Sequence, residues 1–421
     1  MNPILQILLF LAVVTLASKG AGLLSTRFGQ PAVFGEILAG LVLGPSLLNI
    51  MAWGIFTPPP GVRGDLSGVV QALSEIGVVL LMLVAGMETD LHEMRHVGKV
   101  AFWAAFGGVI LPLGSGAAAA HLFGYDWGKG LFMGAVLTAT SVSISAQTLM
   151  ELKALRSKEG SAILGAAVID DVMGIIVLSL VVAFMGQSGP QRAAVAAVFW
   201  VCVRMALFFS LAWFVGRRYF EPAAAIAGRL GVSEPLMAFV VATAFLYAWA
   251  AEYLGGVAAI TGSYLAGVLF GQTSFKERID RGIHPLTYSF FVPVFFINIG
   301  LRADIRHVAG ELPLTLFVLA VAVLGKVIGC GACAWLSGFR YREALRVGVG
   351  MISRGEVGLI VAGYGLAHGI IGADIFSVMV LMVLITTMIT PVWLRSVFPG
   401  ARGDETAVLF ESVAHLERRD D

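Results

Sequence analysis

The chain has 421 residues, 58% of them hydrophobic and 13% charged, with a formal net charge of +1. A soluble domain carries about 25% charged residues, and a mean hydropathy of +0.88 is too high to be confined to one buried core. The charge balance excludes nucleic-acid binding through a basic face. The three cysteines, Cys202, Cys330 and Cys333, give no spaced framework for disulfides. Cys330 and Cys333 form a lone CxxC in an apolar block, which reads as packing rather than as a metal or redox pair.

In chain order, apolar blocks of about 20 residues, enough to cross roughly 30 Å of hydrocarbon, recur thirteen times. They lie near 3–26, 32–51, 66–87, 98–122, 130–152, 160–186, 194–216, 233–252, 255–272, 284–301, 311–337, 343–367 and 374–396. The first block has no charged n-region and runs past Lys19, so it is expected to be a membrane helix and not a signal peptide. Pro58, Pro59 and Pro60 mark a short external loop. No linker is long enough to separate soluble domains. The expectation is an all-α polytopic membrane protein: one transmembrane domain over 1–397 and a short cytoplasmic tail over 398–421, where residues 407–416 read as a brief amphipathic helix. The 51 glycines suit helices packed closely in a membrane.

An odd number of spans places the termini on opposite sides. Lys and Arg crowd one alternate set of connections, with Lys153, Arg156 and Lys158, then Arg217, Arg218 and Arg229, then Arg340, Arg342 and Arg346. The other set holds only Arg63, Lys129, Arg192, Arg302 and Arg306. Positive charge stays on the cytoplasmic side, so the N-terminus is expected outside and the C-terminus inside.

Two stretches repeat. Leu38-Ala-Gly-Leu-Val-Leu-Gly44 in the second block resembles Leu265-Ala-Gly-Val-Leu-Phe-Gly271 in the ninth. Gly86-Met-Glu-Thr-Asp-Leu91 at the end of the third resembles Gly300-Leu-Arg-Ala-Asp-Ile305 at the end of the tenth. Both pairs lie seven blocks apart, so the copies cross the membrane in opposite senses. Inverted repeats mark secondary transporters, whose substrate sites lie at midplane where helices are interrupted.

Charged groups deep in a span cost about 2.5–3.5 kcal/mol on the insertion scale and point to function. Asp170 and Asp171 sit mid-way along the sixth block, about 100° apart on a helix. One can line a cavity while the other turns to a neighbouring helix. Lys326, mid-way along the eleventh block, is too deep to snorkel and needs an anion, for which the aspartate pair is the natural candidate. In the fifth block, Thr138, Thr140, Ser141, Ser143 and Ser145 either satisfy an unwound segment and offer oxygens to a hard cation, or bond within an ordinary helix. The inverted counterpart, Ser353-Arg354-Gly355-Glu356, sets two opposite charges that suit the dipole ends of a broken helix. Glu75, in the third block, is a further acid expected to be buried and to support structure more than transport. Arg204 and Glu252 read as interfacial.

The Asp170-Asp171 pair, the Thr140-Ser141 stretch, Lys326 and the Arg354-Gly-Glu356-Val-Gly-Leu run resemble the monovalent cation:proton antiporter superfamily. Within it they are similar to the bacterial Na⁺/H⁺ antiporters, in the branch that also holds glutathione-gated K⁺ efflux systems. The resemblance runs to about residue 397. It implies thirteen helices with two crossed broken helices, a core moving against a dimerisation domain, and hence a homodimer in the bacterial inner membrane. It also implies that Asp171 carries the monovalent cation and the proton, that Asp170 partners Lys326, and that Thr140 and Ser141 flank the ion site at the helix crossing. Arg354, Glu356 and Glu75 then support the broken helices.

The transported ions would be H⁺ and Na⁺, with K⁺ or Li⁺ as alternatives. The Ser-Ala-Gln147 sequence is closer to the K⁺-efflux members, whose large nucleotide-binding C-terminal domain has no counterpart here. No cofactor motif occurs. A channel is disfavoured by the inverted repeat without a selectivity-filter signature, and an organic-anion symporter shares only the fold. An intramembrane aspartyl protease needs two aspartates on different helices sharing a proton, whereas these two are adjacent.

Overall fold

A computed structural model describes residues 3–57, 66–185, 191–302, 312–367 and 369–398, and every regular element among them is helical. Among the described residues, ten helices are long and apolar enough to cross a membrane, and three shorter apolar ones are Ala32–Leu43, Ala259–Phe270 and Val357–Leu366. They fall in the order of the apolar blocks. The Pro58–Pro60 loop and the tail helix expected at 407–416 lie outside the described residues.

Helix α1 spans Pro3–Arg27, α2 Ala32–Leu43 and α3 Leu66–Glu88. The second block was expected to stay helical to 51. Gly44 instead turns extended before Pro45, as a residue preceding proline prefers, and Asn49 takes a left-handed φ of 46° ahead of a single 3₁₀ turn, Ile50–Ala52. Helix α4, Leu91–Leu122, starts where the Asp90 carboxylate accepts from His92 N and Glu93 N. Next come α5 Trp127–Thr138, α6 Val142–Glu151 and α7 Lys158–Met185.

Helix α8, Gln191–Ala227, extends well beyond the expected 194–216. Helix α9, Pro235–Ala250, ends in a π-helical turn, Ala251–Gly255, and Gly256 at φ 69° redirects the chain into α10, Ala259–Phe270. Helices α11, Lys276–Leu286, and α12, Val292–Leu301, are joined by a second π turn, Thr287–Phe291. Pro285 and Pro293 flank this turn, and each removes a ladder donor. The chain closes with α13 Leu312–Leu336, α14 Tyr341–Gly350, α15 Glu356–Ala367 and α16 Ala373–Val397.

Two bundles emerge from the packing. A framing bundle joins α1–α3 to α8–α12, and a crossing bundle joins α4–α7 to α13–α16. The repeated motifs define how the framing halves meet. Gly40 of α2 lies against α12, where a Cβ would stand 2.9 Å from Ile297 Cα. Gly86 of α3 lies against α10, where a Cβ would stand 2.8 Å from Val268 N and 3.0 Å from Gly267 Cα. Helix pair α2/α12 is therefore the inverted counterpart of α10/α3, each closed by glycine-to-backbone contact, as small residues permit in membrane helices. Cys330 is buried, and it, Cys202 and Cys333 are free thiols.

Candidate functional site

Both expected interruptions are present. Helix α5 stops at Thr138, and residues 139–141 are extended, with Ala139 at φ −57°, ψ 130° and Ser141 at φ −99°, ψ 107°. Residues 351–355 separate α14 from α15. The two breaks cross and bond to each other. Ser141 N donates to Ser353 O at 2.8 Å, and Ser353 Oγ donates to Ser141 O at 2.6 Å. Ser145 Oγ donates to Gly350 O at 2.6 Å and lies 3.1 Å from Ser353 Oγ. These bonds satisfy peptide groups that a broken helix strips of partners, where no water is at hand to do so. Ser141 Oγ lies 3.0 Å from Ser143 Oγ, so Ser141 is committed to the crossing. Thr140 is also buried, its Oγ1 3.4 Å from Thr138 O.

Helix α7 passes this crossing. Asp170 is buried and turned to α13, its Oδ1 accepting from Lys326 Nζ at 2.8 Å with Lys326 fully buried. Asp171, one residue on, is only partly buried and turned to α10. Both aspartates line a cavity of about 50 Å³, with Thr138, Ala139, Gly174, Ala258, Val357 and Val361 among its other walls. That volume holds a few waters or an ion. From the framing bundle, Thr261 Oγ1 donates to Asp171 Oδ2 at 2.9 Å.

Arg354 is fully buried beside this pair. Its Nη2 donates to Ala322 O at 3.1 Å, and its own carbonyl accepts from Thr387 Oγ1 at 2.5 Å. Among the described residues, Arg354 Nε and Nη1 have no hydrogen-bond partner. Glu356 opens α15, and its side chain lies outside the described residues.

Glu75 differs from expectation. It is exposed rather than buried, accepting from Gln71 Nε2 at 2.9 Å in the wall of a cavity of about 340 Å³ with Ser74, Asn298, Arg302 and Gly355. The reason is its position on the face of α3 that looks into the gap between the bundles. Gly355 and Leu359 line this cavity, whereas Val357 and Val361 line that of Asp171, so the two carboxylates occupy opposite faces of α15. Arg204 is not a simple interfacial charge. Its Nε and Nη2 donate to Leu254 O at 2.9 Å and Tyr253 O at 2.8 Å, carbonyls of the π turn. Glu252 is exposed.

Sequence reasoning missed three features. Thr261 is one hydroxyl in an apolar span and carries no signal of its own. Glu36, in α2, is buried with Lys19 Nζ 3.6 Å away. Glu151 ends α6, accepting from Ala32 N at 2.7 Å and Gln147 Nε2 at 3.0 Å. Glu151, Gln147, Glu88, Arg156 and His284 border a third cavity of about 500 Å³. An acid near the edge of an apolar block reads as interfacial, so only the tertiary contacts reveal these.

Residues 9–399 match the family described as sodium/hydrogen exchanger, transmembrane. The Na⁺/H⁺-K⁺ antiporter GerN of Bacillus cereus is 36% identical over 93% of this chain and 96% of its own length. The high-affinity Na⁺/H⁺ antiporter NhaS3 of a Synechocystis species is 32% identical over 95% of this chain and 91% of its own. A solved structure of the sodium proton antiporter MjNhaP1 from Methanocaldococcus jannaschii superposes with a TM-score of 0.69 at 15% identity, covering 93% of this chain and 95% of that one, which establishes a shared fold. With a match across almost its whole length, this multi-pass membrane chain belongs to the sodium/hydrogen exchanger transmembrane family.

Proposed function

We propose that the chain exchanges a monovalent cation, Na⁺ in the first instance, for protons by alternating access, with Asp171 as the shared site. The observation that carries this reading is the division of labour on α7: Asp170 is tied to Lys326, while Asp171 faces a small cavity at the helix crossing. A carboxylate there holds a proton or a cation but not both, and that competition is the basis of exchange. Thr138, at the end of α5, supplies a neighbouring oxygen from the cavity wall, and Thr140 and Ser141 flank the site in the first break. Lys326 releases a proton when the cation loads, which would make exchange electrogenic. Arg354 and Glu356 compensate the ends of the second broken helix, and Glu75 stands on the far side of α15.

Relatives named as Na⁺/H⁺ antiporters support sodium. The name of GerN, which includes K⁺, together with the Ser-Ala-Gln147 sequence, favours K⁺ as the second reading. The same proposal places residues 1–397 in the bacterial inner membrane, with the N-terminus outside and 398–421 as the cytoplasmic tail. It pairs two chains through the framing bundle and assigns the exchange to pH homeostasis.

The test is transport in proteoliposomes under an imposed proton gradient, comparing Na⁺, K⁺, Li⁺ and choline. Asp171→Asn should abolish exchange and leave the melting temperature unchanged. Near wild-type transport by that variant, or choline working as well as Na⁺, would sink the proposal.

A further inference from the structure

Most polar bridges between the bundles gather at the Arg156 end. Arg156 Nη2 meets Glu88 Oε2 at 2.6 Å, and Glu151 accepts from Ala32 N at 2.7 Å. One bridge reaches the exchange site itself: Thr261 Oγ1, on α10 of the framing bundle, donates to Asp171 Oδ2 on α7 of the crossing bundle. The placement of Thr261 is built. Its own N donates to Ala258 O at 3.0 Å in the first turn of α10, and Ala258 lines the Asp171 cavity. The preceding turn is set by Gly256 at φ 69°, a left-handed position suited to glycine. Val257 N donates to Ala251 O at 3.0 Å, and Arg204 from α8 holds the carbonyls of Tyr253 and Leu254. A charged side chain from a third helix thus braces the turn that delivers one hydroxyl to one carboxylate.

We infer that Thr261, braced by the 251–258 turn and Arg204, is a positioning residue for exchange: its hydroxyl binds the ionised, unloaded Asp171 from the framing bundle and lets go when a cation or proton neutralises that charge. A hydrogen bond to an ionised acceptor is roughly twice as strong as one between neutral groups. The bundles are therefore held together at the site while Asp171 is empty and freed to move once it is loaded. Two neighbouring charges have partners of their own. Asp170 is engaged by Lys326 of α13, and Arg354 at the crossing donates to Ala322 O. The inference rests on the reading of Asp171 as the cation and proton site.

The test is Na⁺/H⁺ exchange in proteoliposomes across a pH series with Thr261→Val, which keeps the shape and removes the hydroxyl, and Thr261→Ser, which restores it. A bond to the unloaded, charged form favours that form, so its loss lets both the proton and the cation bind more tightly. Thr261→Val should lower the apparent KM for Na⁺ by roughly five- to tenfold at alkaline pH, where protons do not compete, and move the pH profile upward, with KM affected more than the maximal rate. Thr261→Ser should follow wild type. If Thr261→Val does not reach the membrane, Thr261→Ala is read by the same criteria. A wild-type or raised KM at alkaline pH with a wild-type pH profile in the hydroxyl-free variant overturns the inference, as does a serine variant as far from wild type as valine. Asp171→Asn run in parallel separates the two claims. If it transports, the site reading has failed; if it is dead while the valine variant behaves as wild type, only the role of Thr261 has.

Discussion

In the framing bundle the inverted halves meet through glycine, at Gly40 against Ile297 and at Gly86 against Gly267 and Val268. In the crossing bundle they meet through hydroxyls and charge: Ser141, Ser145 and Ser353 around the breaks, with Asp170, Lys326 and Arg354 beside them. Both regions obey the same pseudo-symmetry, yet only the first is chemically symmetric. The first break is dressed with threonine and serine alone, the second with Ser353 and the charged Arg354. Close packing of intact helices needs only small volume, so the same glycine motif serves both copies. A broken helix in a low-dielectric interior must have each peptide group satisfied and each helix-end dipole compensated, and the two breaks, of opposite sense, meet those needs with different side chains.

The comparison makes the largest effects fall in the crossing bundle. Lys326→Gln leaves the buried Asp170 carboxylate unpaired and should cost about 3–5 kcal/mol of stability, read as a fall in melting temperature in detergent. Whatever exchange survives should no longer respond to an imposed membrane potential, since one titrating group is gone. An unchanged melting temperature and voltage response would mean that the pair neither stabilises the bundle nor moves a proton.

A smaller effect is expected at the glycine seams. Gly86→Val drives a branched side chain into the α10 backbone, a contact that cannot relax by rotating a flexible neighbour, and should cost about 1–3 kcal/mol or somewhat more. Cation selectivity in the surviving protein should match wild type, because none of Gly86, Tyr264, Gly267 and Val268 lines the Asp171 cavity. A change of selectivity there would break the separation between packing and ion handling.

The smallest is expected at one hydroxyl of the crossing. Ser145→Ala leaves the Gly350 carbonyl without that donor and should cost about 1–2 kcal/mol. No loss of stability would show that the paired backbone bond between the breaks suffices alone.

The sequence by itself determined the helical class, the thirteen spans, their inverted relation and the candidacy of Asp170, Asp171 and Lys326. Each of these follows from a quantity that is local in the chain: apolar length against bilayer thickness, a motif and its offset, or a charge with apolar neighbours on both sides. Glycine-to-glycine packing was legible as a repeat, though not which helix each copy would touch.

The tertiary structure decided which aspartate faces which partner. A 100° step along α7 says only that the two differ, and the positions of α13 and α10 assign Asp170 to Lys326 and Asp171 to Thr261. It also turned Glu75 into the gap between bundles, committed Ser141 to the crossing, and gave Arg204 the carbonyls of a π turn. These outcomes depend on the rotation and depth of neighbouring helices, which are fixed by packing across residues distant in the chain, and no local pattern encodes them.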